Sequence, residues 1–247
     1  MIIANWKCNG SKAMINTWTN NFLTNYDETK KAFIGIAPPS IYIESLLESE
    51  LNKLVEINIG SQDIDISSGA RTGAISSDMI LDFDCKFSII GHSERRQLFN
   101  ETNEEIKQKI LKIAKKTITI LCVGETREEN KNDQTRDILK KQLEVVKDIE
   151  LNNSLVIAYE PVWAIGTGNT PTPNNINEIH KFIKDVVQST SDNSALPLVL
   201  YGGSVNQENA KSFFKEEFVD GALIGGASLD GKEFANIINI FNGINLK

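Results

Sequence analysis

Leu155-Val156-Ile157-Ala158-Tyr159-Glu160-Pro161-Val162-Trp163-Ala164-Ile165-Gly166-Thr167-Gly168 is a strand, a carboxylate and a glycine loop in succession. The apolar run does not alternate with polar residues, which is how a parallel strand covered on both faces reads. It stops at Glu160 and gives way to an apolar loop. Thr172 followed by Pro173 then has the pattern of a helix N-cap with proline at the first helical position. Ile176, Ile179, Ile183 and Val187 fall on one helical face beyond it.

This strand–loop–helix unit recurs. Further apolar, β-branched runs lie at 2–6, 33–37, 56–62, 87–91, 117–123, 198–201 and 222–225. Between them Ile106, Ile110, Ile113 and Ala114 share a face, as do Phe234, Ile237, Ile238 and Phe241. Thr102 and Glu105 make a capping box. Eight such units in 247 residues predict an α/β chain folded as a (β/α)8 barrel, eight parallel strands ringed by helices. No linker-like gap divides it, so one domain spanning 1–247 is expected. An open doubly wound sheet is the rival. It calls for a Gly-x-Gly-x-x-Gly turn after the first strand, where this chain has Lys7-Cys8-Asn9-Gly10. The pairs Asn152-Asn153 and Asn174-Asn175 read as turns and helix starts.

Composition narrows the function. Hydrophobic residues are 40% and charged residues 24%, ordinary for a globular protein. The net charge of −7 argues against a nucleic-acid partner, which would call for a basic stripe. It does not argue against a small anion held by a local positive site. Cys8, Cys85 and Cys122 are odd in number and form no C-x-x-C pair, so they read as free thiols in a reducing cytoplasm. The N-terminus runs straight into apolar strand, with no signal-peptide pattern, and no apolar run approaches the ~18 residues of a membrane span. A cytoplasmic protein without membrane association is expected.

In a barrel, loops after the strands build the site, so polar residues where strands stop carry the information. They are Asn5 and Lys7, Gln62, His92, Glu125 and Glu160. Lys7 reads either as a solvated surface lysine or, with Asn5 two residues before it on the same side of the strand, as a fixed charge for an anion. His92 reads either as a structural histidine or as a ring at a helix start, whose dipole would depress its pKa and keep it neutral. Glu160 reads either as half of an ion pair or as a carboxylate desolvated by its apolar loop, with a raised pKa suited to a base. His180 lies mid-helix beside an apolar stripe and reads as a packing or surface residue.

Glycine clusters at 166–168, 202–203 and 225–226 let backbone N–H groups approach a phosphate, and two of them follow the last two strands. A carboxylate, an imidazole, a lysine and a phosphate cradle, with no metal cluster, point to proton transfer on a phosphorylated carbonyl compound. The residues do not name the sugar.

The chain resembles the triosephosphate isomerase family from the first strand to the last. The resemblance is carried by Asn5-Trp6-Lys7-Cys8-Asn9-Gly10, Ile90-Gly91-His92-Ser93-Glu94-Arg95-Arg96, Leu121-Cys122-Val123-Gly124-Glu125, residues 158–168, Tyr201-Gly202-Gly203-Ser204 and Gly225-Gly226-Ala227-Ser228-Leu229, in family order and at family spacing. It implies that Glu160 is the base and His92 a neutral electrophile. Lys7 would stabilise an enediolate, Asn5 would position substrate and Glu94 would support the site from behind Lys7. Gly166, Ser204, Gly225 and Gly226 would contact phosphate. Residues 161–171 would form a lid, with Ile165 and Leu223 packing over Glu160 to exclude water. The substrate implied is a triose phosphate, with no cofactor and no metal. A homodimer is implied through the loop around Thr72, which would reach a neighbour's site near Asn5 and Glu94.

Three positions depart from the family pattern. Cys8 stands where methionine is frequent. Ala74 replaces the acidic residue that elsewhere can pair with an arginine such as Arg95. The lid ends Asn169-Thr170-Pro171 where lysine-threonine-alanine is frequent. In the family the Tyr201 hydroxyl bonds a lid N–H that here falls at Pro171, which has none. Ser204 would retain the Gly168 N–H. Two other readings are a Schiff-base aldolase, which would need a late-strand lysine where this chain has Glu160, and a catalytically inactive phosphosugar-binding barrel.

Overall fold

The computed structural model describes residues 1–27, 32–49, 51, 54–150, 154–164, 170–190 and 196–245. Eight parallel strands close into a barrel in sequence order. They are β1 (Ile2–Asn5), β2 (Ile34–Ala37), β3 (Asn58–Ser61), β4 (Phe87–Ile90), β5 (Ile118–Val123), β6 (Leu155–Tyr159), β7 (Leu198–Tyr201) and β8 (Ala222–Ile224). Ile2 pairs with both Ile34 of β2 and Ala222 of β8, which closes the ring. The expected architecture is therefore found, with strand ends trimmed by one or two residues.

Helices lie between the strands: α1 (Lys12–Asn25), α2 (Ile43–Leu47), α3 (Ser77–Asp82), α4 (Ser93–Leu98), α5 (Asn103–Ile113), α6 (Arg127–Lys131), α7 (Thr135–Leu143), α8 (Pro173–Thr190), α9 (Ala210–Phe214) and α10 (Gly231–Asn245). Two starts follow the expected signals. Thr102 and Glu105 form a reciprocal capping box on α5. The Thr172 hydroxyl accepts from Asn175 N at 3.3 Å ahead of Pro173.

The period of two explains why the strands read as unbroken apolar runs. Ile3, Phe87, Ile89, Ile120, Val156, Ala158, Leu200 and Leu223 fill the barrel interior. Their neighbours Ile2, Ala4, Ile90, Leu121, Ile157, Val199 and Ile224 pack outward in the core shared with the helices. Phe87 fills the interior because glycines face it. A Cβ at Gly60 would lie 2.6 Å from its ring, and one at Gly35 would lie 2.7 Å from it. A packed interior leaves the polar strand ends as the place for chemistry.

Candidate active site

The carboxyl ends of the strands surround a cavity of about 540 Å³. Asn5 and Lys7 reach it from β1, His92 from β4, Glu160 from β6, Gly202, Gly203 and Ser204 from β7, and Leu223, Gly225 and Gly226 from β8. Asn5 and Gly226, 221 positions apart in numbering, therefore share one wall. Ile165, Gly166 and Gly168 lie outside the described residues.

Lys7 has φ of 50°, a left-handed conformation that a non-glycine residue adopts only when its surroundings enforce it. Two contacts do so here. Lys7 N donates to Asn5 Oδ1 at 3.0 Å. Gln62 Nε2 donates to the carbonyls of Lys7 (2.8 Å) and Ala37 (2.9 Å). Gln62 thus fixes the backbone that aims the lysine, a role its strand-end position hinted at but did not define. Lys7 Nζ lies 2.6 Å from Glu94 Oε1, the supporting place the resemblance implied for Glu94. Lys7 is half-buried, with Nζ paired to Glu94 at the edge of the cavity.

His92 caps α4. Its Nδ1 accepts from Glu94 N at 3.2 Å, and its Nε2 lies 3.0 Å from Glu160 Oε1. The other carboxylate oxygen of Glu160 accepts from Ser93 N at 2.9 Å. These contacts correct both expected pKa shifts. For His92, burial disfavours the imidazolium, but the Glu160 carboxylate outweighs it and raises the pKa above the ordinary value. For Glu160, burial alone would raise the pKa. His92, the Ser93 N–H and Lys7 outweigh burial and lower it. The helix start acts through geometry: with Nδ1 occupied as an acceptor, the neutral ring carries its proton on Nε2, pointing at Glu160.

Gly202 makes room for this carboxylate. A Cβ there would lie 2.8 Å from Glu160 Cγ. Gly225 stands against Lys7, where a Cβ would come 3.4 Å from Lys7 Cε. The turn Gly226–Leu229 is tied down by Ser228, whose hydroxyl donates to Gly225 O and whose carbonyl accepts from Trp18 Nε1. The Ser204 hydroxyl donates to Ala164 O at 2.9 Å, joining β7 to the start of the expected lid. Leu223 is buried in the same cavity wall as Glu160.

Glu125 ends β5 away from that cavity and is fully buried. Its carboxylate accepts from Trp163 Nε1 at 2.8 Å, Asn130 Nδ2 at 3.1 Å and the Tyr159 hydroxyl at 3.1 Å. His180 is also fully buried, with Nδ1 3.2 Å from Phe218 O, and burial lowers its pKa to about 3. It packs edge-on against Tyr159 and is neutral, which settles it as a packing residue. The Tyr201 hydroxyl is buried without a hydrogen-bond partner among the described residues.

A second cleft of about 500 Å³ adjoins the site on the Lys7 and Glu94 side, bordered by Ala74, Arg95, Leu98 and Phe99. Leu98 and Phe99 are 72% and 65% exposed. Arg95 Nε lies 2.8 Å from Asp63 Oδ2 and 3.3 Å from Glu101 Oε1, and Lys109 joins the same carboxylates.

The profile of the family described as Triosephosphate isomerase matches residues 1–241. A protein of Legionella pneumophila (strain Paris) named "Triosephosphate isomerase" is 39% identical over 247 residues, covering 98% of each chain. One of that name from Klebsiella pneumoniae is 38% identical over 244 residues, covering 96% of this chain and 95% of its own. Another from Buchnera aphidicola subsp. Cinara cedri (strain Cc) is 40% identical over 254 residues, covering 98% of both. The match begins at the first residue and runs through all eight strands, so it takes in Lys7, His92 and Glu160 together, and on that ground the chain belongs to the triosephosphate isomerase family.

Proposed function

We propose that the cavity at the strand ends performs the family's reaction, with Glu160, His92 and Lys7 as its catalytic residues. The chain is a triose-phosphate isomerase, interconverting dihydroxyacetone phosphate and D-glyceraldehyde 3-phosphate, a step of glycolysis and gluconeogenesis. The observation that carries the assignment of residues is the meeting of Lys7, His92 and Glu160 with two glycine turns in one cavity.

Phosphate is held by backbone N–H groups of the turns at Ser204, Gly225 and Gly226, with Gly166 completing the cradle from the lid. Asn5 and Lys7 orient the other end. Entry of substrate separates His92 from Glu160, and the Nε2 proton of His92 then points at the substrate carbonyl in place of the carboxylate. Glu160 leaves Ser93 N, takes the proton from the carbon beside the carbonyl and returns it to the neighbouring carbon. Between the two transfers Lys7 stabilises the enediolate, while His92 gives its Nε2 proton to the former carbonyl oxygen and takes one back from the neighbouring hydroxyl, which becomes the new carbonyl. Ile165 and Leu223 shield Glu160 while residues 161–171 are closed, which strengthens these interactions and keeps out water. The reading needs no metal and no cofactor.

The chain is read as one domain, 1–247, and as a cytoplasmic homodimer. Among the described residues no helix is long and apolar enough to cross a membrane. Thiols free of disulfides at Cys8, Cys85 and Cys122 suit the cytoplasm. The dimer reading rests on the exposed loop around Thr72, rigidified by the Arg71–Asp65 ion pair, and on the open cleft beside Lys7, rimmed by Leu98 and Phe99. A coupled assay of the purified chain on either triose phosphate tests the activity. Turnover is expected; its absence at micromolar enzyme would favour an inactive phosphosugar-binding barrel.

A further inference from the structure

Glu125 is a buried carboxylate held by neutral donors. Its side chain accepts from the Trp163 indole, the Asn130 amide and the Tyr159 phenol. Its carbonyl accepts from Val162 N at 3.1 Å. Main chain and side chain of one residue therefore grip 162 and 163, two and three positions after Glu160. Among the described residues no lysine, arginine or histidine nitrogen lies within ion-pair distance of this carboxylate. Burial pushes its pKa above the usual carboxylate range, against the pull of the three donors.

Asn130 differs from the other two donors in its origin. Tyr159 and Trp163 flank Glu160 in sequence, whereas Asn130 comes from α6, a helix fixed independently by the Thr126–Glu129 capping box. Asn130 N also donates to Thr126 O at 3.0 Å. Its amide bonds the same oxygen, Oε1, that receives the Trp163 indole. That oxygen is thereby held still with respect to α6, and the indole is offered a fixed acceptor.

The groups around the carboxylate leave its charge unbalanced. Tyr159 on β6 is neutral, with its pKa raised well above the ordinary value by burial and then by Glu125. His180 on α8 and Tyr201 on β7, which face Tyr159, are neutral as well. On the loop side the Glu129 carboxylate is taken up by the Thr126 N–H and hydroxyl.

We propose that Asn130 is a positioning residue of the isomerase reaction, acting through Glu125 to set where Trp163, and with it the 162–164 turn, stands relative to Glu160. The proposal rests on the reading of Glu160 as the base. It follows that this placement is sensitive to charge. A proton on Glu125 turns an acceptor into a donor, so it competes with the amide and the indole and frees Trp163. A second carboxylate at 130 would favour that proton, as like charges sharing a site do.

The test follows Trp163 emission against pH, with Trp163→Phe identifying its signal, alongside kcat and KM. Wild type should show an acid-side emission change that is absent in Trp163→Phe. In Asn130→Asp it should move to higher pH by about one unit or more. Asn130→Ala should lower kcat severalfold at pH 7 with KM changed less than twofold and the melting temperature little altered. An emission change that stays in place in Asn130→Asp, or an unchanged kcat in Asn130→Ala, would overturn the proposal. The emission titration needs no substrate, so its outcome is independent of whether the chain turns over triose phosphate.

Discussion

His92 Nε2 and Glu160 Oε1 are 3.0 Å apart, so the electrophile and the base of the proposed reaction are each other's partner before substrate arrives. Substrate has to come between them. The contact stabilises the resting site and is given up on binding, which prevents its stabilisation from deepening the ground state during proton transfer.

This contact fixes the sign of one pH dependence. His92 has a raised pKa, so its contribution to stability is full below the ordinary value of 6.5 and is lost as pH rises through the raised value. Glu160 has a lowered pKa, so its contribution is full above the ordinary value of 4.5 and is lost as pH falls through the lowered value. Both are present between 4.5 and 6.5. Glu160→Gln is expected to lose most stability relative to wild type in that window, with the difference shrinking at higher pH. Ring NMR should show the His92 pKa lower in Glu160→Gln than in wild type. Equal His92 titration in the two proteins would remove Glu160 as the cause.

A dimer is expected to form without a charged contact from Arg95. At sequence level Ala74 pointed to a lost intersubunit ion pair. The structure gives Arg95 its carboxylates within the chain, Asp63 and Glu101, and stacks it over Phe99 with 4.8 Å from guanidinium carbon to ring centroid. Exposed pairs contribute only about 0–1 kcal/mol, so the interface loses little. Sedimentation at low micromolar concentration should show a dimer whose dissociation changes little between low and high salt. An active monomer there would contradict the dimer reading.

The strands, their order and the polar residues at their ends were legible because apolar period and strand termini are local properties. Lys7, His92 and Glu160 were visible for that reason. What was not legible depends on pairs distant in sequence. The Ser93–Glu160 bond spans 67 positions and the Gln62–Lys7 bond 55. Without them, burial at Glu160 and the helix start at His92 gave pKa shifts of the wrong sign. Gly202 was seen as a phosphate-turn glycine, whereas its lack of a Cβ also makes space for Glu160. Asn130 carried no signal at all, since an asparagine in a short helix is ordinary until its amide is seen on Glu125.

Tyr201→Phe is expected to change turnover by less than about threefold, below the ~10-fold that 1.4 kcal/mol would give. Pro171 has no N–H to meet the hydroxyl, and the buried hydroxyl has no partner among the described residues. Proline also restricts the chain at that point and biases Thr170 towards extended conformations, which offsets a missing bond of net ~0.5–1.5 kcal/mol. The ring itself packs on Phe213 with centroids 4.6 Å apart, and phenylalanine keeps that contact. Thermal stability should be unchanged or higher, because an unsatisfied buried group is removed. A much larger loss of turnover would mean that the hydroxyl finds a partner when the lid closes.

The measurement that bears most directly on Glu160 as the base is the turnover of Glu160→Asp in the coupled triose phosphate assay, with the fold checked by circular dichroism. Aspartate keeps the charge but retracts the carboxylate by about one bond length, and a ~1 Å misplacement can cost ~100-fold. A folded protein with turnover lowered about 100-fold is expected; a folded protein with near-normal turnover would remove Glu160 from the role of base.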